Sequence, residues 1–326
     1  MELVCPAGTP AALTAALDAG ADVVYVGFRD ETNARNFPGL NFSPEELEEA
    51  VIRAHAMGRE VYVAINTYPE AGNQAPWHRA VDAAARIKVD AVILADIGLL
   101  EYTASNYPQL RRHLSVQASA SNPEAINFYR TAFGVQRVVL PRVLTIPEIT
   151  SLIEEIEVET EVFAFGGMCV MAEGRCSLSS YVTGKSPNMN GVCSPASHVD
   201  YEQRGRKLVS KLGSYTINAY ADNEPAGYPT LCKGRFIGHD GKPSYLFEEP
   251  TSLNVMGVLP ELIKTGVKAL KIEGRQRGKA YVSQVVSSYR RAIDAALNGE
   301  AVPEIDLGAI TEGTRSTTGA YGKSWR

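Results

Sequence analysis

The stretch VVYVGFRDETNARNFPGLNFSPEELEEAVIRAHAMGREVYVAINT, residues 23–67, decides the fold. It opens on a β-branched and aromatic strand, VVYVG (23–27), and closes on another, EVYVAINT (60–67). Between them lie a loop, FRDETNARNFPGLNF (28–42), and a helix with a marked start and stop. Ser43 is a good N-cap, Pro44 suits the first helical position and Glu46 completes a capping box. Gly58 is placed to end the helix. The unit is therefore strand, loop, helix, strand, with both strands nearly continuous in apolar residues.

The same punctuation repeats along the chain. LVCPA (3–7), AVILAD (91–96), LSVQAS (114–119), RVVLP (137–141), EVFAFG (161–166) and ALKIEG (269–274) read as further strands. Helix-compatible runs over 10–19, 77–87, 99–106, 123–133, 147–156 and 279–297 separate or follow them. Uninterrupted apolar strands alternating with helices imply a parallel sheet covered on both faces. Eight such units predict an α/β fold, a (β/α)₈ TIM-like barrel, rather than an open doubly wound sheet. No GxGxxG follows the first strand, which argues against a dinucleotide-binding fold.

The rhythm breaks once. Seven strands fit into the first 166 residues, and the eighth waits until 269. We expect one barrel domain over 1–326, with a cysteine-rich insertion over 167–255 between strands seven and eight, a short helix within 258–264 and a C-terminal tail over 300–326. In such a barrel the βα loops build the active face. The insertion and the loop 28–42 should both lie there.

The chain of 326 residues is 45% hydrophobic and 21% charged, an ordinary globular composition with ample length for a core. Its net charge of −5 shows no general attraction to nucleic acid. The start MELVCPAG lacks a basic, apolar leader. The best membrane candidate, AVILADIGLL (91–100), is too short to span and contains Asp96. The expectation is a cytoplasmic protein without a membrane span, in which cysteines stay reduced and serve as ligands or catalysts.

Four of the five cysteines, Cys169, Cys176, Cys193 and Cys232, follow the seventh strand, separated by six, sixteen and thirty-eight residues. A tetrathiolate site holds zinc or an iron–sulfur cluster. Structural zinc draws its cysteines in tight pairs. The wide spacing favours a cluster; the bland alternative is four unrelated buried thiols. Cys5, inside the first strand, reads as a small core residue.

Asn66, Asp96, Gln117, Arg142, Glu273 and Arg275 stand at or just beyond the ends of apolar strands. On a barrel they would converge on one substrate pocket, with Arg142 and Arg275 suited to a carboxylate or phosphate. A buried carboxylate among them needs a partner, and Lys271, Arg142 and Arg275 are at hand. The alternative is an ion-pair network that closes the rim. The five histidines make no HExxH, and no GxSxG occurs, so neither a zinc protease nor a serine hydrolase is indicated. The basic run Arg204–Lys207 reads as a solvated loop.

The run Glu161-x-Phe163-x-x-Gly166-Gly167-Met168-Cys169-x4-Gly174-x-Cys176-x-Leu178-Ser179 resembles the signature of the collagenase-like peptidase family, with Gly167 where Ser or Ala is usual. KIEGRQR (271–277), Tyr281 and Tyr289-Arg290 resemble its second hallmark. DETNARNFPGLNF (30–42), VQASASNPEAINFY (116–129), GYPTLCKGR (227–235) and EEPTSLN (248–254) resemble the branch of that family devoted to ubiquinone biosynthesis.

This resemblance implies a 4Fe–4S cluster on Cys169, Cys176, Cys193 and Cys232, and no genuine protease activity. It also implies a heterodimer with a UbiV-like homologous subunit and hydroxylation of a ubiquinone precursor without dioxygen, with prephenate as a candidate oxygen donor. Members of the family that hydroxylate RNA pyrimidines are typically longer, so nucleic acid is not the expected partner. An RNA-pyrimidine hydroxylase and a non-catalytic electron-relay subunit remain as alternatives.

Overall fold

The molecule is described from a computed structural model covering residues 1–169 and 176–322; Gly174 of the family signature lies outside them. The chain opens as β1 (Glu2–Pro6), α1 (Pro10–Asp18), β2 (Val23–Gly27), α2 (Pro44–Ala56), β3 (Glu60–Ile65), α3 (Ala75–Ile87), β4 (Ala91–Leu94) and α4 (Ile97–Asn106). It continues as β5 (Arg111–Leu114), α5 (Pro123–Phe133), β6 (Arg137–Val139), α6 (Ile146–Glu154) and β7 (Glu159–Gly167). An excursion follows, with α7 (Leu178–Thr183), α8 (Pro187–Asn190), the antiparallel strands β8 (Val199–Arg204), β9 (Lys207–Leu212) and β10 (Tyr215–Tyr220), and the hairpin β11 (Arg235–Ile237) and β12 (Pro243–Tyr245). Then come β13 (Ser252–Asn254), α9 (Leu259–Lys264), β14 (Ala269–Ile272), α10 (Lys279–Leu297) and, in the tail, β15 (Ser316–Thr317).

β1 to β7 pair in chain order and in parallel, and β14 pairs with both β7 and β1. The result is a closed eight-stranded (β/α)₈ barrel. Strand alternation sorts the side chains. Val4, Val23, Tyr25, Tyr62, Ala64, Ala91, Ile93 and Ala269 fill the lumen. The other face of the strands packs under the helices, where Cys5 is fully buried among Leu3, Leu13 and Val286. Its reading as a core residue stands.

The helix signals of the opening stretch form as written. Ser43 and Glu46 make the reciprocal capping box, Pro44 sits in the first turn, and α2 ends at Met57. Thr145 and Glu148 repeat the device at α6.

One strand was placed wrongly. LSVQAS (114–119) is not a strand; β5 is the polar run Arg111–Leu114, followed by a 3₁₀ turn over Val116–Ala118. The Ser115 hydroxyl accepts from the Gln117 N–H (3.3 Å), and Ser119 turns left-handed at φ 54°, so the strand ends there. Arg111 and His113 are acceptable in β5 because the lumen is charged, and Arg112, on the outer face, donates to the Phe133 (2.8 Å) and Leu110 (2.7 Å) carbonyls. Arg137 is fully buried and donates to Glu2 (2.7 Å), Glu159 (2.9 Å) and Glu161 (3.4 Å). Glu161 in turn accepts from Lys271 (2.6 Å), whose ammonium lies 3.9 Å from the centre of the Tyr25 ring. Each buried charge in this column has an opposite one, the condition for burying charge at all. Burial, with Arg137 beside it, drives the His113 pKa well down and keeps the ring neutral.

Candidate functional site

The mouth at the C-terminal ends of the strands is organised by Glu273, the first residue after β14. Its N–H donates to the Phe165 carbonyl (2.7 Å), which fixes the backbone against β7. Gly166 sits at φ +140°, and a Cβ there would lie 2.5 Å from the Cβ of Glu273, so only glycine allows this approach. The Glu273 carboxylate accepts from Arg35 and from Arg142 (2.5 Å). Burial alone would raise its pKa, but Arg142 and Arg35 outweigh that and hold it down at about 2. Arg142 also lies over the Phe163 ring, 3.5 Å from its centre.

Arg275 completes the group. It is 4% exposed and donates to the Asn33 side-chain oxygen (3.0 Å), with its guanidinium 5.6 Å from the Tyr25 ring centre. Among the described residues it makes no ion pair, and burial pushes its pKa down to about 10. Gly8, the glycine of CPAG, makes room for this turn: a Cβ there would lie 1.9 Å from the Arg275 carbonyl oxygen.

The loop 28–42 locks these parts together through three consecutive residues. Asn33 holds Arg275, the Ala34 N–H donates to Asn66 (3.0 Å) and Arg35 holds Glu273. The Asn66 amide donates to Ser115 (3.2 Å), and Ser115 also accepts from the Gln117 backbone. The Gln117 carbonyl takes the Tyr68 hydroxyl (2.7 Å), while its side-chain oxygen is buried without a hydrogen-bond partner among the described residues. Of the six pocket residues read from the sequence, Arg142 and Glu273 meet directly. Arg275, Asn66 and Gln117 join them through the loop and Ser115.

Asp96 has another job. Its carboxylate accepts from the Leu99 N–H (2.8 Å) and caps α4. Asp96→Ala is expected to cost about 1 kcal/mol of stability, the usual worth of an N-cap. Turnover per folded molecule should be unchanged; chemical denaturation beside an activity assay checks both. Lys271, offered as a partner for a mouth carboxylate, is committed to Glu161 one layer deeper. Arg35, Asn33 and Lys233 were missed. They sit in irregular loops, where no periodicity points a side chain anywhere; the signals were the length of the loop 28–42 and the resemblance carried by 30–42 and 227–235.

The four thiols stand near this mouth, and none is joined in a disulfide. Among the described residues, no three Cys, His, Asp or Glu side chains are gathered tightly enough to hold a metal ion. The thiols nevertheless influence one another. Burial raises the Cys193 pKa, with Cys176 adding and Arg35 opposing. Burial, with Cys169 beside it, pushes Cys232 up to about 12. Cys193 and Cys232 thus resist ionising, and a thiolate-binding metal centre would offset that, because such a centre stabilises the deprotonated form. In donor chemistry, the residues fit an iron–sulfur cluster. Two cations flank the set. Arg35 stands between Cys193 and Glu273, and Lys233, next to Cys232, is paired with Glu312.

The closed parallel barrel thus carries arginines, a buried carboxylate and four thiols at the C-terminal ends of its strands. The chain belongs to peptidase family U32, whose sequence profile matches residues 8–320. Across 92% of its length it is 32% identical to tRNA hydroxylation protein P of Escherichia coli, covering 69% of that protein. It is 29% identical over 91% of its length to a protein of Porphyromonas gingivalis named collagenase, covering 66% of it. It is 28% identical over 91% of its length to the 23S rRNA 5-hydroxycytidine C2501 synthase of E. coli, covering 40% of it. The family resemblance read from the sequence is thus correct, and the family includes hydroxylases. Relatives named for tRNA and rRNA leave the expectation of no nucleic-acid partner without support. Among the described residues, no helix is long and apolar enough to cross a membrane.

Proposed function

We propose that this chain is the iron–sulfur subunit of an oxygen-independent hydroxylase of the ubiquinone ring, of the UbiU type, acting with a UbiV-like homologous subunit in anaerobic ubiquinone biosynthesis. One observation carries the reading. Segments that resemble the ubiquinone branch, far apart in sequence, supply parts of a single site: Arg35 from 30–42, Cys232 and Lys233 from 227–235, and Ser252, which accepts from the Glu312 backbone N–H, from 248–254.

Cys169, Cys176, Cys193 and Cys232 would hold a 4Fe–4S cluster, which supplies one-electron transfer when bound. The chain's own residues do the rest. Arg275, whose only hydrogen-bond partner among the described residues is the neutral Asn33 amide, offers its charge to an anionic donor of oxygen such as prephenate. The Phe163 and Tyr25 rings, already in contact with cations, offer flat apolar walls to an aromatic ring. The unpartnered oxygen of Gln117 can accept from a ring hydroxyl.

The test is an anaerobic assay of this chain with its homologous subunit, a ubiquinone precursor, a reductant and prephenate, with product read by mass spectrometry. Ring hydroxylation that fails when either subunit or prephenate is omitted supports the reading. Removing the cluster from each subunit in turn separates a catalytic role from electron relay.

The names of the relatives favour a second reading, an RNA-pyrimidine hydroxylase. Hydroxylated RNA in the same assay, with binding that weakens steeply with salt, would establish it instead.

A further inference from the structure

The tail does not hang free after α10. Its strand β15 pairs with β13, and β13 lies antiparallel on the end of β7, opposite Phe165, Gly166 and Gly167, two residues before Cys169. Tyr321 is buried and its hydroxyl donates to the Phe163 carbonyl (2.9 Å). The Ile146 N–H donates to the Tyr321 carbonyl (3.3 Å). Residues 307–322 thus form a strap across the rim at β7. Gly313, at φ +60°, lets it press against Pro250, whose carbonyl oxygen would lie 2.3 Å from an added Cβ.

Within the strap one charge points back toward the thiols. The Glu312 N–H is fixed by the Ser252 hydroxyl (2.9 Å), and its carboxylate lies so close to Gly167 that a Cβ there would sit 2.9 Å from it. That carboxylate takes Lys233 and, at 3.6 Å, Arg277. Lys233 is 14% exposed and immediately follows Cys232; on the other side, the Cys232 carbonyl accepts from the Glu248 N–H (3.2 Å). Cys232 is the last of the four thiols in the chain, carried on a short turn, Leu231–Lys233, with thirty-eight residues between it and Cys193. The turn has no side-chain cap of its own. Lys233 and Glu312 tie it to the barrel rim, beside a hydrogen bond from the Asn218 amide to the Lys233 carbonyl (3.5 Å).

We propose that Glu312 is a positioning residue that anchors the Cys232 turn to the barrel, so that the C-terminal strap sets how firmly the fourth thiolate is held in the metal centre. The inference rests on the cluster reading of the four cysteines. Ordering the turn before metal binding removes a cost that the bound state would otherwise carry, and partners just outside the ligands typically change metal affinity 10–100-fold.

The test uses the full chain, reconstituted with iron and sulfide without oxygen, and reads the rate at which a chelator bleaches the cluster. Glu312→Gln is expected to speed that loss by about tenfold or more, with the unfolding midpoint of the cluster-free protein little changed, since a partly exposed pair adds little to global stability. Glu312→Asp, which keeps the carboxylate, should recover part of the wild-type rate. Glu249→Gln, which breaks the neighbouring exposed pair with Arg315 in the same strap, should leave it unchanged. Loss at the wild-type rate in Glu312→Gln, or equal acceleration in Glu249→Gln, would overturn the proposal. A wild-type chain that takes up no cluster would instead overturn the reading beneath it, and the inference with it.

Discussion

Alanine in place of Cys193 or Cys232 is expected to strip the chain of iron and abolish hydroxylation. In the proposed cluster each thiol would be one of four donors, and the loss should exceed the 10–100-fold effect of altering a residue that only supports a ligand. Both are at least half-shielded from solvent and sit beside a cation, Arg35 or Lys233, that favours the thiolate. The matched control is Cys5→Ala. Cys5 is fully buried under the helices, away from the mouth, so that variant should keep full iron and activity at a cost of about 1 kcal/mol from a small cavity. Iron content by elemental analysis, measured with activity on the same samples, separates the two classes. Full iron in Cys193→Ala would remove it from the ligand set.

Glu273→Gln should have the largest effect among residues that hold no metal. The glutamine keeps the shape but leaves Arg35 and Arg142 without their shared anion. The Glu273 carboxyl has a pKa of about 2 in the folded chain against an ordinary 4.5. A depressed carboxyl stabilises the fold above its unfolded pKa, and that stabilisation is lost as pH falls through the folded value. The window is therefore pH 4.5 down to about 2. The shift corresponds to on the order of 3 kcal/mol at neutral pH, in line with the cost of breaking a buried pair. Urea denaturation at a series of pH values should show the variant weaker at pH 7, with the two proteins converging in acid. Parallel stability curves would show that Glu273 is not the ionised centre of the mouth. Turnover should fall as well, because Arg142 and Arg35 lose their fixed geometry.

The fold was legible because most barrel strands are apolar on both faces. VVYVG and AVIL cannot be satisfied except in a sheet covered on both sides. β5 was not legible for the opposite reason. Arg111 and His113 look like loop residues until the lumen is known to carry Arg137, Glu161 and Lys271, and Arg112 until its outward contacts with the Phe133 and Leu110 carbonyls are known. Strand-end position singled out Glu273, Arg142 and Arg275, which the structure gathers at the mouth. It failed for Asp96, since the same position also serves as the first cap of the following helix. Arg35 and Lys233 were beyond such reasoning. Their placement depends on loop contacts made across long sequence separations, 238 residues between Arg35 and Glu273 and 79 between Lys233 and Glu312.

These loop contacts also give the site its logic. Glu273 and Glu312 each hold a cation beside a thiol, one from the barrel and one from the strap. Cys193 and Cys232 are thereby tied, through Arg35 and Lys233, to these two carboxylates.

The most direct test of a redox cluster at this mouth is a count of iron and acid-labile sulfide in protein purified without oxygen. We expect about four irons and about four sulfides per chain, falling to background in Cys193→Ala. A stoichiometric zinc ion with no sulfide would contradict it and make the four thiols a structural metal site.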